Sequence, residues 1–225
     1  MARGLGEAFF PRRLDILANG PSAGDFPWDT RSTVLALNGA MDLCVQHHRP
    51  PEYWAACDPQ PLVADFLTFT PRYTEYLVAS KCHASVFDRL RPHRPLVWHV
   101  EDYPLPDDVW GVPTASTITL MAAQFAPRMG FWDLHFWGWD CCVMEDRHHA
   151  SGEAFVNGKV RELQFRPSED GPVLRSFLTT DGLAYEAQQA VHIIIPLLRR
   201  LGARVTIHGD GLVAHLLDFM EHPPS

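Results

Sequence analysis

Asn19-Gly20-Pro21-Ser22 directly follows a short apolar run, Leu14-Asp15-Ile16-Leu17-Ala18. A buried strand that ends in a turn of small polar residues is where open α/β proteins bind phosphorylated ligands. Gly20 lets the backbone come close to a ligand, and Pro21 fixes the turn. Ser22 and the N–H groups around it can donate hydrogen bonds to phosphate oxygens. The plainer reading is a tight surface turn. The same arrangement recurs along the chain. Val34-Leu35-Ala36-Leu37 ends at Asn38-Gly39-Ala40, Tyr53-Trp54-Ala55-Ala56-Cys57 ends at Asp58-Pro59, and Leu134-His135-Phe136-Trp137 ends at Gly138-Trp139-Asp140.

Asp58 and Asp140 each stand just past an expected strand, and in a parallel sheet such ends share one edge. Two carboxylates there could hold Mg²⁺, which takes oxygen ligands and bridges phosphates; two capping aspartates would look the same. His148 and His149 follow Asp140, and one could serve as general base toward an acceptor hydroxyl, or the pair could simply be exposed. Cys141-Cys142 with these histidines does not have zinc-site spacing. Arg175-Ser176 and Thr179-Thr180 precede a long helical pattern, where they could meet a second phosphate or cap the helix. Phe131, Trp132, Phe136, Trp137 and Trp139 read mainly as core, with Trp139 able to stack on a flat ligand. His47-His48 ends a helix, where cations are favoured.

The elements that must position these residues read as strands at 14–18, 33–37, 53–57 and 131–137, with a last one at 204–208. Shorter strand-like pieces lie at 75–79, 84–87 and 95–100. Helical patterns cover 40–48, 61–69, 116–129 and 179–201, with a short one reaching Phe219. Pro196 is placed to kink the longest of them. The segment 101–113 reads as a loop rich in Pro and Asp, and 141–171 as an irregular, polar lid. Strands alternating with helices imply a mainly parallel sheet.

The chain has 225 residues, 46% hydrophobic and 20% charged, with a net charge of -8. That fits one sizeable globular domain spanning 1–225. No apolar stretch approaches the roughly 20 residues of a membrane span, and residues 1–10 lack the apolar core of a secretory signal. A cytoplasmic, membrane-free protein is therefore expected, with its five cysteines as free thiols. The negative charge argues against general nucleic-acid binding. The partners expected are a nucleotide and a small-molecule acceptor, and self-association is open.

Four segments taken in order resemble a known family. They are Ile16 to Ser22, Cys57-Asp58-Pro59, Gly130 to Asp140, and Arg204 to Gly211. The set is similar to the MptE-like family, named for the archaeal 6-hydroxymethyl-7,8-dihydropterin diphosphokinase. The first and third segments also resemble bacterial sialyltransferases with a Gly-Asn-Gly-Pro-Ser loop, and the central domain of flagellin-modifying Maf proteins. Ala18 stands where those relatives carry Gly. The resemblance implies a Rossmann-like three-layer α/β fold and a nucleotide-bearing donor. It matches Asn19, Gly20, Pro21, Ser22 and Asn38 to nucleotide contacts. Ser116 falls near a helix start rich in Ser and Thr, Gly138 and Asp140 match a Gly-x-Asp, and His149 resembles a histidine that follows it. The leading expectation is a diphosphokinase that moves pyrophosphate from Mg²⁺-ATP to a hydroxymethyl acceptor such as a pterin. The alternatives are a glycosyltransferase using a CMP- or other nucleotide-linked sugar, and a non-catalytic nucleotide-binding module.

Overall fold

A computed structural model describes residues 12–101, 104–106, 109–144, 159–166 and 171–222. The strands are β1 (Arg12–Leu17), β2 (Thr33–Leu37), β3 (Tyr53–Ala56), β4 (Glu75–Ala79), β5 (Leu96–Glu101), β6 (Gly111–Pro113), β7 (Phe131–Trp137), β8 (Arg161–Phe165), β9 (Arg175–Thr179) and β10 (Arg204–Ile207). The helices are α1 (Ala40–Gln46), α2 (Ala84–Leu90), α3 (Ile118–Phe125), α4 (Asp181–Gln189), α5 (Ile195–Arg200) and α6 (Leu212–Glu221).

Eight strands form one sheet in the order β10-β7-β1-β2-β3-β4-β5-β6. Every pairing within it is parallel. Helices pack against it in the three-layer, Rossmann-like arrangement expected. Central strands covered on both faces read as continuous apolar runs, and β2 is such a run: Val34, Leu35, Ala36 and Leu37 are all buried. The chain starts at β1, winds outward through β2 to β6, then returns to the other side of β1 as β7. The strand order thus reverses between β1 and β7. A crevice opens outside the carboxyl ends of the strands at such a point.

The local structure departs from the sequence reading in four places. Residues 84–87 belong to helix α2, not to a strand. His83 caps it by accepting a hydrogen bond from the Ser85 N–H, and Val86 and Leu90, one turn apart, are its buried pair. The segment 61–69 forms a 3-10 helix over Pro61–Phe66. Gly111–Pro113 within the expected loop forms β6 beside β5. Part of the segment 141–171 is ordered as β8, which pairs antiparallel with β9. Thr179 therefore ends a strand rather than beginning a helix. The long helix starts at Asp181 and passes through a π-helical turn at Ala190–Ile194 before Pro196. In that wider turn the Ile195 N–H donates to Ala190 O, directly before Pro196, which has no N–H to continue the ladder.

Candidate functional site

Two loops meet at the switch point and are joined backbone to backbone. The Ala18 N–H donates to Trp137 O and the Gly20 N–H to Gly138 O, at 2.8 and 2.9 Å. The Gly138 N–H donates to Ser22 Oγ at 3.1 Å. The Ser22 N–H donates to Asp140 Oδ2 at 2.8 Å. The loop after β10 closes the knot, because the Leu212 N–H donates to Asp140 O at 2.8 Å. Glycines make this density feasible. Gly138 is left-handed at φ 72°, and a Cβ there would lie 2.7 Å from Ala23 Cβ. A Cβ on Gly20 would clash with Gly138 O.

Behind this knot lies a cavity of about 240 Å³. Asn19 and Gly20 from the β1 loop, Asn38 after β2, and Gly138 and Asp140 after β7 line one side. Thr117, Ile118 and Thr119 at the start of α3 line another, with Leu183 and Glu186 of α4 below. Asn38 takes a left-handed φ of 46°, which Asn tolerates better than most residues. Its backbone is fixed by three bonds: its N–H donates to Ala55 O, and its carbonyl accepts from Trp54 Nε1 at 2.9 Å and from the Met41 N–H at 3.4 Å. Its side-chain Oδ1 is buried with no hydrogen-bond partner. Trp54→Phe keeps a ring but removes the shorter of the two donors to the Asn38 carbonyl, leaving the Met41 N–H. It is expected to cost about 1–3 kcal/mol, read as a lower urea midpoint at unchanged slope.

The sequence-predicted residues divide clearly. Asn19, Gly20, Asn38, Gly138 and Asp140 come together around the cavity. Pro21 and Ser22 stand behind it, in the 3-10 turn Pro21–Asp25. Ser22 turns its Oγ and N–H to Gly138 and Asp140, so it braces the turn. The N–H groups of Gly20, Ser22 and Ala23 are likewise engaged within the knot. Ser116 is exposed and bonds Gln189 Oε1; its neighbour Thr117 caps α3 and faces the cavity. Thr180 caps α4, Thr179 Oγ1 donates to Cys141 O, and Arg175 pairs with Asp210. The Arg and Thr residues before the helix thus have structural partners. His148 and His149 lie outside the described residues.

Asp58 and Asp140 are not brought together. Asp58 follows β3 and accepts the Gln60 N–H at 2.9 Å, in a turn that leads into the 3-10 helix. Three strand spacings separate the ends of β3 and β7, about 14 Å. Asp58 is not among the residues that line the cavity Asp140 faces; one oxygen of Asp140 holds Ser22, and its Oδ1 is buried with no hydrogen-bond partner. Among the described residues, no group of three or more His, Cys, Asp or Glu is arranged to hold a metal ion.

Among the described residues, two carboxyl groups and no lysine or arginine line the cavity. Burial pushes the Asp140 carboxyl above the usual carboxylate range, against the Ser22 hydrogen bonds that favour its charged form. Burial also raises Glu186, against donors from Thr117, Trp139 and Cys141. Its Oε1 accepts from Thr117 Oγ1 at 2.8 Å and from Trp139 Nε1 at 2.9 Å. Trp139 is therefore a buried part of the wall, packed on Phe136. Burial lifts the Cys142 thiol to about 11 and pushes the Cys141 thiol well above its ordinary value, so neither is a nucleophile at neutral pH. All five cysteines are buried free thiols. No helix among the described residues is long and apolar enough to cross a membrane.

Neither a protein-family model nor a curated protein matches the chain. Among solved structures it is similar to the Maf glycosyltransferase from Magnetospirillum magneticum AMB-1, with a TM-score of 0.65 and 16% sequence identity. The likeness covers 89% of this chain and 32% of that protein, so the chain spans about a third of its relative's length. The likeness to Maf proteins expected from the motifs is met at the level of the fold. The MptE-like assignment finds no matching family model.

Proposed function

We propose that this chain is a glycosyltransferase that binds a nucleotide-activated sugar in the cavity at the switch point of its sheet. The observation that carries this reading is the convergence of Asn19, Asn38 and the first turn of α3 on one cavity. The N–H groups of Ile118 and Thr119 lie in that first turn, where a helix leaves its amides without internal partners and favours negative charge. They are the groups to receive the donor phosphate. Asn19 and Asn38 supply neutral amides to the nucleoside. The shared fold of the Maf glycosyltransferase supports the same class.

In the transfer, an acceptor hydroxyl attacks the anomeric carbon as the bond from that carbon to the phosphate oxygen breaks. The nucleotide leaves with the bonding electrons, and the hydroxyl proton passes to a base. His149 is the residue assigned as that base. The α3 amides stabilise the leaving phosphate as its charge grows. This chemistry needs no shared metal site between Asp58 and Asp140. The diphosphokinase reading does, and it draws no support from their separation.

The test is turnover with a panel of CMP-, UDP- and GDP-linked sugars and a mixed pool of hydroxyl acceptors, alongside ATP with Mg²⁺. Nucleotide release from one sugar donor is expected, reduced by about a hundredfold or more by His149→Ala, the usual scale for a lost general base. AMP formed from ATP, with no release from any sugar donor, would replace the proposal with the diphosphokinase.

A further inference from the structure

Glu186 is a charged residue where a glutamine could accept the same two hydrogen bonds at Oε1. It lies on the buried side of α4 beside Ala187 and is 6% exposed. Its Oε1 takes both the Thr117 hydroxyl and the Trp139 indole N–H, and the Cys141 thiol donates to the same carboxyl. A carboxylate offers about four acceptor positions, so three protein donors leave one. The group lines the cavity, and none of the described lining residues is basic. A buried carboxylate without a cation is costly, and buried, perturbed groups in a cleft cluster at functional sites. Thr117 belongs to the cap of α3, Trp139 to the loop after β7 and Glu186 to α4. The carboxyl therefore sits at a fixed place among three walls.

We propose that Glu186 determines which ligand the cavity accepts: its remaining acceptor position takes a hydrogen bond from a neutral donor group of the ligand. The inference rests on the nucleotide reading above. It fixes one end of the ligand, by holding a hydrogen-bond donor at Glu186. Two parts of a nucleotide supply such a donor, the exocyclic amine of a base and a ribose hydroxyl. A site built around a polar contact rejects the analogue that lacks it far better than a merely apolar pocket does.

The probes are matched pairs, measured by calorimetry on the wild type and on Glu186→Gln. AMP is compared with IMP and CMP with UMP, which exchange an amine for a keto oxygen. Each ribonucleotide is also compared with its 2′-deoxy form. The wild type is expected to prefer one member of a pair by about tenfold or more, the scale of a hydrogen bond to a charged group. Glu186→Gln, which turns part of the acceptor into a donor, is expected to bring that pair within about threefold. An amine–keto preference assigns the base, and a ribo–deoxy preference assigns the sugar. A wild type that binds nucleotides but separates no pair overturns the assignment, whether or not the variant folds. A folded Glu186→Gln that keeps the wild-type ranking overturns it too. A wild type that binds no nucleotide at all removes the nucleotide reading, and this inference with it.

Discussion

Gly138→Ala is expected to lower stability by about 3 kcal/mol and to abolish nucleotide binding. Two independent causes add. Gly138 holds a left-handed φ of 72°, which costs an L-residue about 1–2 kcal/mol. The new methyl would also meet Ala23 Cβ at 2.7 Å, Ala18 O at 2.8 Å and Gly20 O at 3.0 Å. Overpacking of this kind costs about 1–3 kcal/mol. Two of those three atoms are backbone of the very loop that Gly138 anchors, so relief of the clash must move Gly20 away from the cavity. In a protein of this size each kcal/mol is worth about 2–4 °C, so the melting midpoint falls by roughly 6–12 °C. Gly202→Ala is the control. Gly202 is also left-handed, at φ 94°, but has nothing within 4 Å of a built Cβ. It should lose only the conformational part and leave ligand binding intact. Equal losses in both variants would show that packing of the two loops contributes nothing.

Asp140 gives the second large effect, and the choice of substitution separates two accounts of it. As a latch, the carboxylate is needed because Oδ2 accepts the buried Ser22 N–H. Asp140→Ala leaves that N–H without a partner, at about 1–3 kcal/mol, and frees the β1 loop from the β7 loop. Binding should drop by more than tenfold, the equivalent of about 1.4 kcal/mol. Asp140→Asn keeps an acceptor oxygen of the same shape and removes a charge that burial already disfavours. It is expected to stay within about 1 kcal/mol of the wild type in urea unfolding and to retain binding. An Asn variant as damaged in binding as the Ala variant would show that the negative charge itself is used, as a metal ligand would require.

Much of this arrangement is legible in the sequence. The apolar runs ending at Ala18, Leu37, Cys57 and Trp137 identify buried parallel strands, because strands covered on both faces need no alternation. The polar residue placed just after each run then reaches the ligand edge by topology alone. The same logic misjudges lateral distance. It puts Asp58 and Asp140 on one edge, but strand order sets their spacing, and order is not written in the runs. β8 escapes notice because Arg-Glu-Leu-Gln-Phe is largely exposed and held by its partner strand. Residues 84–87 mislead because Val86-Phe87 reads as a short strand when Leu90, a turn later, is left out of the window. Ser22 has the right residue type at the right place, yet its hydroxyl faces inward, since the tight approach of Gly138 consumes it. Glu186 does leave a signal. It falls at i+3 from Leu183, on the stripe that continues to Ala190 at i+7, where a solvated charge does not belong.

The most direct test of the central claim is a melting scan of the wild type with CMP, UDP, GDP and ATP, each with and without Mg²⁺. A ligand that binds only the folded state stabilises it by about 2.7 kcal/mol at a hundredfold excess over its dissociation constant, or roughly 5–11 °C in a protein of this size. A rise with at least one of CMP, UDP or GDP, independent of Mg²⁺ and absent in Gly138→Ala, is the predicted result. No rise with any nucleotide, in protein that melts cooperatively, would contradict the claim that this cavity is a nucleotide site.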